Sequence, residues 1–338
     1  MNKLQVALVF GSINSEHDIS VASAASVLEH FPKEKFDCVP LYIGKDGKWY
    51  TGNYTLDMMQ SNKLEGHREL YLQFNYDRPG FIYADDQSLL PVDVAFLMLH
   101  GRMGEGGQVQ GLLKCANIPF TGCDVLSSAL CMDKGFTHII CEAAGIDMAA
   151  YQLITHINDI DFEKVEYPCI VKPSREGSSF GVSYVRNYDE LLNACLFAFE
   201  FDSRVLIEAY IKGTEVGLGI LKTDQELIVS EVDQVNVSGE VFDFQEKYHP
   251  HATETLPVST FPESVRKEVK RLGELAFNVL DCAQFSRLDF FVTEDHRIFL
   301  NEVNTIPGFT SSSRYPGMLN RAGVSYPELI TKMIEDLL

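Results

Sequence analysis

Two strand-like segments near the end of the chain carry charged and amide side chains at alternate positions. Arg287 and Asp289 alternate in the first segment, and Glu302 and Asn304 alternate in the second. Side chains of a strand alternate between its faces, so a turn centred near Asp295 would bring Asp289 close to Glu302. Two carboxylates placed in this way repel each other unless a cation binds between them. The oxygen atoms of Asp289, Glu302 and Asn304 suit Mg²⁺ bound to phosphates, although a salt-bridged edge hairpin would give the same pattern.

A loop rich in glycine and serine follows a predicted strand that ends near Lys172. The loop covers residues 174–181, with the sequence SREGSSFG, and a second predicted strand follows it. Glycines let backbone amides approach phosphate oxygens, Ser178 and Ser179 add hydroxyl donors, and Lys172 adds positive charge. The pattern therefore indicates either a phosphate cradle or an ordinary turn. The chain contains no Walker motif, and no GxGxxG motif leads from a strand into a helix.

Two other turns follow predicted strands in the first third of the chain. Residues 10–20 present Glu16 just before a predicted helix, and residues 100–107 begin with His100. Ligands of open α/β sheets bind at the carboxyl ends of the strands, so Glu16 could hold an ammonium group there. The alternatives are an acid that favours a helix N-terminus and a structural histidine. Residues 304–314 contain many small hydroxyl side chains, and their amides could bind an oxyanion or a carboxylate.

The elements that must position these residues form two α/β regions. In the first, we predict a strand at residues 6–10, a helix at 18–28 and a strand at 92–99, whereas residues 45–90 give no clear pattern. In the second, we predict helices at residues 134–144 and 263–280 and a hairpin formed by residues 285–292 and 297–303.

Composition restricts the class of protein further. Of 338 residues, 46% are hydrophobic and 22% are charged, which is typical of a globular protein with two to three folding units. The formal net charge of -20 argues against a nucleic-acid partner, and no apolar run approaches the length that spans a membrane. The eight cysteines form no CxxC pair and no cluster with zinc spacing, so we expect free thiols. We expect a cytoplasmic protein that binds neither nucleic acid nor membrane.

In their order and separations, these segments resemble the D-alanine-D-alanine ligase family over nearly the whole chain. The matching segments are SEHDIS at 15–20, HG at 100–101 with GE at 104–105, MDK at 132–134, VKP at 171–173 with GSSFG at 177–181, Glu208 with Glu215, DFQEKY at 243–248 and NEVNTIPG at 301–308. Residues 122–134 and 313–316 further resemble the vancomycin-resistance branch, whose members make D-alanyl-D-lactate or D-alanyl-D-serine. The chain departs from the usual family pattern at Ser12, in place of glycine, at Gly106, in place of aspartate, and at Ala209, in place of a longer side chain over the adenine.

The resemblance implies an α/β protein in which an N-terminal open-sheet domain precedes an ATP-grasp fold of two α+β subdomains. We expect these units at residues 1–128, 129–215 and 216–338. The implied activity is ATP-dependent ligation of D-alanine to a second D-amino acid through an acyl phosphate, with release of ADP. The implied cofactors are two Mg²⁺ ions, for which Mn²⁺ could substitute, and relatives are commonly homodimers. An inactive nucleotide-binding sensor and a ligase for another carboxylate and amine are the alternatives.

The resemblance also implies a role for each candidate residue. The catalytic residues would be Glu16, Ser178, Lys247, Arg287 and Gly308. The nucleotide would be bound by Lys134, Lys172, Ser179, Glu208 and Glu215. The metal ions would be bound by Asp289, Glu302 and Asn304, and the amino acids by His100, Tyr248, Ser313 and Arg314.

The identity of the second amino acid depends on Tyr248 and Arg314. In the family, tyrosine after the loop lysine accompanies amine nucleophiles, which disfavours D-lactate. An arginine at the place of Arg314 occurs in the D-serine branch and could recognise a hydroxyl group. The alternative is that Arg314 pairs with a surface carboxylate, and the choice between D-serine and D-alanine stays open.

Overall fold

The computed structural model describes residues 3–235 and 258–338, whose strands form three sheets. The first sheet has the order β6-β5-β4-β3-β2-β1-β7. Its strands are β1 (Leu4–Gly11), β2 (Phe36–Ile43), β3 (Trp49–Thr51), β4 (Arg68–Gln73), β5 (Gly80–Tyr83), β6 (Leu89–Pro91) and β7 (Val94–Met98). Strand β1 pairs in parallel with β2 and β7, and the pairs from β2 to β6 are antiparallel. The predicted open α/β sheet is confirmed, and the unassigned residues 45–90 extend it.

Residues 6–10 of β1 and all residues of β7 are apolar and buried, as expected for parallel strands that helices cover. The helices of this part are α1 (His17–His30), α2 (Leu56–Gln60), α3 (Arg102–Glu105), α4 (Gln108–Cys115) and α5 (Val125–Met132). The turns that follow β1 and β7 meet at one edge, where the Asn14 side chain donates to the His100 carbonyl at 2.7 Å. The parallel pairing thus brings the two candidate turns together, as expected for carboxyl ends of neighbouring strands.

The second sheet is small and antiparallel, with the order β10-β9-β11-β8. Its strands are β8 (Tyr151–Ile154), β9 (Cys169–Pro173), β10 (Ser183–Val185) and β11 (Val205–Ala209), and its helices are α6 (Lys134–Ala143) and α7 (Tyr188–Phe199). In the register of β9 and β11, Lys172 pairs with Leu206 and Ile170 pairs with Glu208. Lys172 and Glu208 therefore point to the same face of the sheet.

The third sheet contains the predicted hairpin and the order β13-β12-β15-β16, with β14 paired to β12. Its strands are β12 (Gly213–Lys222), β13 (Leu227–Val229), β14 (Asp233–Gln234), β15 (Phe285–Thr293) and β16 (Ile298–Asn304), and its helices are α8 (Glu263–Val279), α9 (Arg314–Arg321) and α10 (Tyr326–Glu335). Asp289 pairs directly with Glu302, and the register shifts after this pair. The predicted hairpin and its carboxylate pair are confirmed.

The core of the first sheet includes residues from the end of the chain. Phe309 is fully buried and lies edge-on to Phe96 of β7, with ring centroids 6.0 Å apart. Tyr315 of α9 and Ile330 of α10 belong to the same apolar cluster. The last two helices therefore complete the first core, although they follow the third sheet in sequence.

The structure also bears on the expectations from composition. The eight cysteines, all within the described ranges, are free thiols. Among the described residues, no helix combines the length and apolar character needed to cross a membrane.

The core beneath α8 provides a test of the third sheet. Phe290 is fully buried there, so Phe290→Ala should lower the free energy of unfolding by about 3–5 kcal/mol through loss of packed apolar volume. Phe74 is 64% exposed, so Phe74→Ala, the same chemical change, should alter it by less than about 0.5 kcal/mol. Urea unfolding followed by circular dichroism measures both, and similar losses would contradict the assigned packing.

Candidate active site

A cleft lies between the second sheet and the β15–β16 hairpin. Its polar wall is formed by Lys134, His138, Lys172, Glu176, Ser178, Ser179, Glu208 and Glu302. Its apolar wall includes Ile170, Phe291 and Phe299. Apolar surface with a few converging cations and hydroxyls suits a ligand with a flat ring at one end and anionic groups at the other. The fold thus gathers the glycine-rich loop, the start of α6 and the hairpin around one space.

Glu208 has a side-chain partner at each carboxylate oxygen. Lys172 Nζ lies 2.7 Å from Oε2, and His138 Nε2 lies 2.9 Å from Oε1. Burial alone would raise the pKa of Glu208, but the charge of Lys172 and the hydrogen bond from His138 lower it to about 2. Glu208 is therefore ionised at neutral pH. Sequence analysis missed His138, although it lies one helical turn after Lys134 on the same face of α6.

Helix α6 begins at the cleft through a well-defined N-terminal cap. Asp133 Oδ1 accepts hydrogen bonds from the Gly135 amide at 3.1 Å and the Ser174 hydroxyl at 2.7 Å. Arg204 NH1 lies 2.6 Å from the other oxygen of Asp133. Lys134, the next residue, donates from Nζ to the carbonyl of Glu176 at 2.6 Å. The cap therefore sets the position of Lys134 relative to the glycine-rich loop.

The glycine-rich loop folds back onto the turn after β1. The Ser178 hydroxyl donates to Glu16, and both Ser178 and Ser179 have left-handed backbone conformations, with φ of 49° and 57°. A Cβ at Gly177 would lie 2.9 Å from Glu16 Oε2, so the close approach requires glycine. Burial raises the pKa of Glu16, and the hydrogen bond from Ser178 partly opposes this effect. The two predicted catalytic residues Glu16 and Ser178 are in direct contact.

His100 joins the edge of the first sheet to the loop after β16. Its Nδ1 lies 3.0 Å from the Ile306 carbonyl oxygen, and its Nε2 lies 2.8 Å from Ser23 Oγ. Burial lowers the pKa of His100 to about 4, so the ring is neutral. Glu105 accepts from the Gly101 amide at 2.9 Å and the Ile306 amide at 3.3 Å, and burial raises its pKa to about 8. Glu105, for which no role was predicted from the sequence, therefore connects the loop after β7 to the loop after β16 through hydrogen bonds.

Asp289 is almost completely buried at the base of the hairpin. Its Oδ2 accepts from Arg287 NH2 at 2.8 Å and from the Asn304 amide nitrogen at 3.0 Å. Glu302, its cross-strand partner, faces the cleft. Among the described residues, no group of three or more His, Cys, Asp or Glu side chains could hold a metal ion; the predicted set has two such side chains, Asp289 and Glu302, and the amide of Asn304. Oxygen donors at adjacent register positions fit a divalent ion that takes its other ligands from phosphates.

Arg314 pairs with carboxylates of three strands of the third sheet. Its NH1 lies 2.9 Å from Glu215 Oε1, its NH2 lies 2.7 Å from Asp233 Oδ1, and its NH1 lies 3.3 Å from Asp289 Oδ1. These three carboxylates are buried, so they are not the surface acids considered from the sequence. Glu215, predicted to contact the nucleotide, belongs to this group, and burial raises the pKa of Asp233.

The remaining predicted residues lie on the loop after β16 or outside the described ranges. Ser313 Oγ accepts from the Thr310 amide at 3.0 Å, and a Cβ at Gly308 would lie 3.3 Å from Ser313 Oγ. Gly308 and Ser313 thus form one compact turn. Lys247 and Tyr248 lie outside the described residues.

Comparison with known proteins agrees with this architecture. The family profile for the D-ala D-ala ligase N-terminus matches residues 5–123, and that for the D-ala D-ala ligase C-terminus matches residues 140–335. The vancomycin/teicoplanin A-type resistance protein VanA of Enterococcus faecium is 39% identical, with 99% of this chain and 98% of that protein covered. A D-alanine-D-alanine ligase of Caldicellulosiruptor bescii is 36% identical, with coverage of 99% and 95%.

Solved structures give the same result. The crystal structure of VanG D-Ala:D-Ser ligase from Enterococcus faecalis matches with a TM-score of 0.89 and 34% identity, covering 100% of both chains. The second and third sheets, with the cleft between them, therefore form an ATP-grasp fold, and the first sheet belongs to the N-terminal α/β part that precedes it. The chain belongs to the D-alanine-D-alanine ligase family. The resemblance seen in the sequence is confirmed.

The ion pair between Arg204 and Asp133 at the N-terminal cap of α6 can be tested by its effect on stability. Arg204→Leu should lower the free energy of unfolding by about 2–3 kcal/mol, because buried Asp133 would lose its ionic partner. Arg271→Leu is the matched control, since its partner Glu268 is exposed, and we expect a change below about 1 kcal/mol. Chemical denaturation of both variants measures the difference. Equal stabilities would show that Arg204 does not compensate Asp133.

Proposed function

We propose that this protein is an ATP-dependent, ADP-forming ligase that joins D-alanine to a second D-amino acid for peptidoglycan precursor synthesis. The observation that carries the proposal is the cleft, which is lined by Lys134, Lys172, the loop serines, Glu208 and Glu302. The family to which the chain belongs uses ATP. We assign the N-terminal domain to residues 1–128 and the two ATP-grasp subdomains to residues 129–215 and 216–338.

The first chemical task is to activate a carboxylate, which is a poor electrophile. Transfer of the γ-phosphoryl group of ATP to D-alanine gives an acyl phosphate and leaves ADP in the cleft. Lys134 and Lys172 would neutralise charge on the phosphates, and Ser179 would donate to them. Glu208 and Glu215 would contact the adenosine part of the nucleotide. Glu16, in contact with Ser178, would hold the ammonium group of the first D-alanine.

We assign two Mg²⁺ ions, replaceable by Mn²⁺, to Asp289, Glu302 and Asn304. When bound, the ions supply positive charge that orients and neutralises the phosphates. The donor chemistry and the direct pairing of Asp289 with Glu302 support the assignment. Because Arg287 and Asn304 already donate to Asp289, these two side chains would have to exchange partners when ions bind.

The second task is attack by an amine on the acyl carbon. Negative charge then develops on the carbonyl oxygen, and Arg287 with the Gly308 amide would stabilise it. Lys247 would reach the transferred phosphate on a loop that closes over the cleft and excludes water. His100 would help to position the amino acids. We further propose that the enzyme acts in the cytoplasm as a homodimer.

For the second substrate we propose D-serine or D-alanine, with D-serine favoured and D-lactate disfavoured by Tyr248. The presence of Arg314 beside Ser313 and the similarity to a D-Ala:D-Ser ligase support D-serine. The pairing of Arg314 with Glu215 and Asp233 supports D-alanine, because these carboxylates already accept from the guanidinium group.

The proposed activity predicts release of phosphate and formation of a D-alanyl dipeptide from Mg-ATP, D-alanine and a second D-amino acid. Glu302→Gln should lower turnover by about 100-fold or more without unfolding the protein, because one metal-binding carboxylate is lost at constant volume. Coupled phosphate release and mass spectrometry of the product measure both effects.

Glu294→Gln is the control for this experiment, because Glu294 is exposed at the tip of the same hairpin and should keep wild-type activity. Absence of turnover with every pair of D-amino acids would favour an inactive nucleotide sensor. Activity of Glu302→Gln within about threefold of wild type would refute the metal assignment.

Competition between D-alanine and D-serine at equal concentrations tests the role of Arg314. Wild type should form more D-alanyl-D-serine, and Arg314→Leu should shift the product ratio toward D-alanyl-D-alanine by about tenfold or more, since a donor for the hydroxyl group is lost. The ratio is independent of the amount of folded enzyme. Arg321→Leu, which removes a more distant partner of Asp233, should leave the ratio unchanged. An unchanged ratio in both variants would exclude Arg314 from substrate recognition.

A further inference from the structure

His138 lies in the wall of the cleft and has no part in the chemistry described above. Its side chain is 2% exposed and stacks on Tyr151, with ring centroids 4.1 Å apart and an interplanar angle of 30°. Its Nε2 lies 2.9 Å from Glu208 Oε1. Within the described residues, its buried Nδ1 has no hydrogen-bond partner, and the Glu142 carboxylate lies 3.7 Å away. The ring is therefore fixed in place by one hydrogen bond and one stacked neighbour.

The partner of His138 decides which ring nitrogen carries the proton. Glu208 is ionised, so its oxygen atoms can only accept hydrogen bonds. Nε2 must therefore be protonated to donate to Oε1. Nδ1 has no hydrogen-bond partner among the described residues, so the bond from Nε2 to Glu208 is the hydrogen bond that orients the ring. Rotation of the ring would remove the only donor that His138 offers to Glu208.

Lys172 holds the other oxygen of Glu208, but the proposed chemistry also assigns Lys172 to the phosphates of ATP. A lysine shared with phosphates interacts less strongly with its original carboxylate. Glu208 is buried, and a buried carboxylate that loses its partners is strongly destabilised. His138 belongs to α6 rather than to the strand of Lys172, so its hydrogen bond does not depend on the position of Lys172.

We infer that His138 is a positioning residue for base recognition, which holds the Glu208 carboxylate in the orientation that accepts a hydrogen bond from the 6-amino group of a purine. The inference rests on the proposed function, which takes ATP as the ligand and Glu208 as a nucleotide contact. A purine with a 6-oxo group would place an oxygen against the carboxylate and be repelled. His138 therefore contributes to the preference for adenine over a 6-oxo base.

Binding of ATP and ITP tests this role, because the two nucleotides differ at position 6 of the base. Calorimetric titration without amino acids compares wild type with His138→Leu, which lacks the donor, and His138→Gln, whose amide can donate. We expect His138→Leu to bind ATP about tenfold or more weakly and ITP within about threefold of wild type, with His138→Gln close to wild type for both. Glu142→Gln, which leaves the bond to Glu208 intact, is the control and should bind both nucleotides as wild type does.

Three results would overturn the inference. The first is ATP binding by His138→Leu within about threefold of wild type. The second is an equal loss of affinity for ATP and ITP in this variant, as a general structural defect would give. The third is failure of His138→Gln to recover ATP binding. If wild type binds ATP but does not ligate D-alanine, the proposed activity fails while the binding comparison still decides the role of His138. If wild type binds neither nucleotide, both proposals fail.

A second measurement detects the proton on the His138 ring of the wild-type protein directly. In a long-range ¹H–¹⁵N spectrum of wild type labelled at histidine, the His138 signal should show a proton on Nε2. The spectrum of His138→Gln assigns that signal. A ring without a proton on Nε2 would be unable to donate to Glu208 and would overturn the inference.

Discussion

Negative charge that is removed from water has to be neutralised within the protein, and the arrangement of the cleft follows from this requirement. Glu208 is compensated by Lys172 from a neighbouring strand. Asp289 is compensated by Arg287 from its own strand and by Arg314 from a helix that begins well after the hairpin. Since removal of one cation leaves a buried carboxylate uncompensated, β9 and β11 are energetically connected through Lys172 and Glu208, and α9 is connected to the third sheet through Arg314 and Asp289.

This arrangement also determines how a polyanion can enter. The chain has a net charge of -20, and the cations of the cleft already have protein partners: Lys134 donates to the Glu176 carbonyl and Lys172 pairs with Glu208. Phosphate groups would therefore be bound by exchange of partners. Before a ligand binds, these partners compensate the buried cations. The positions of the acidic side chains therefore contribute to ligand recognition.

The parts of the site that depend on local geometry could be predicted from the sequence. Strand alternation placed Asp289 beside Glu302, and the glycine and serine spacing located the loop that reaches Glu16. The partners of Arg314 could not be predicted in this way, because Glu215 and Asp233 come from distant strands that only tertiary packing brings to it. His138 is an intermediate case.

His138 was not predicted, although its helical spacing from Lys134 places it on the correct face, because a histidine on a helix has many possible partners until Glu208 is placed. Residues 45–90 are a second part of the chain whose structure was not predicted from the sequence. Their strands are short and partly exposed, so they lack the longer buried apolar runs that mark β1 and β7.

The contribution of α9 and α10 to the core around β1 and β7 has a consequence for the biosynthesis of the protein. A chain emerges from the ribosome from its N-terminus, and domains made of consecutive residues can fold as soon as they emerge. The first sheet is not such a unit, because Phe309, Tyr315 and Ile330 fill its core. Its apolar face stays incompletely covered until the last residues are released. The first part of the chain to be synthesised is therefore among the last to reach its final packing, and nascent chains would depend on protection from aggregation during this interval.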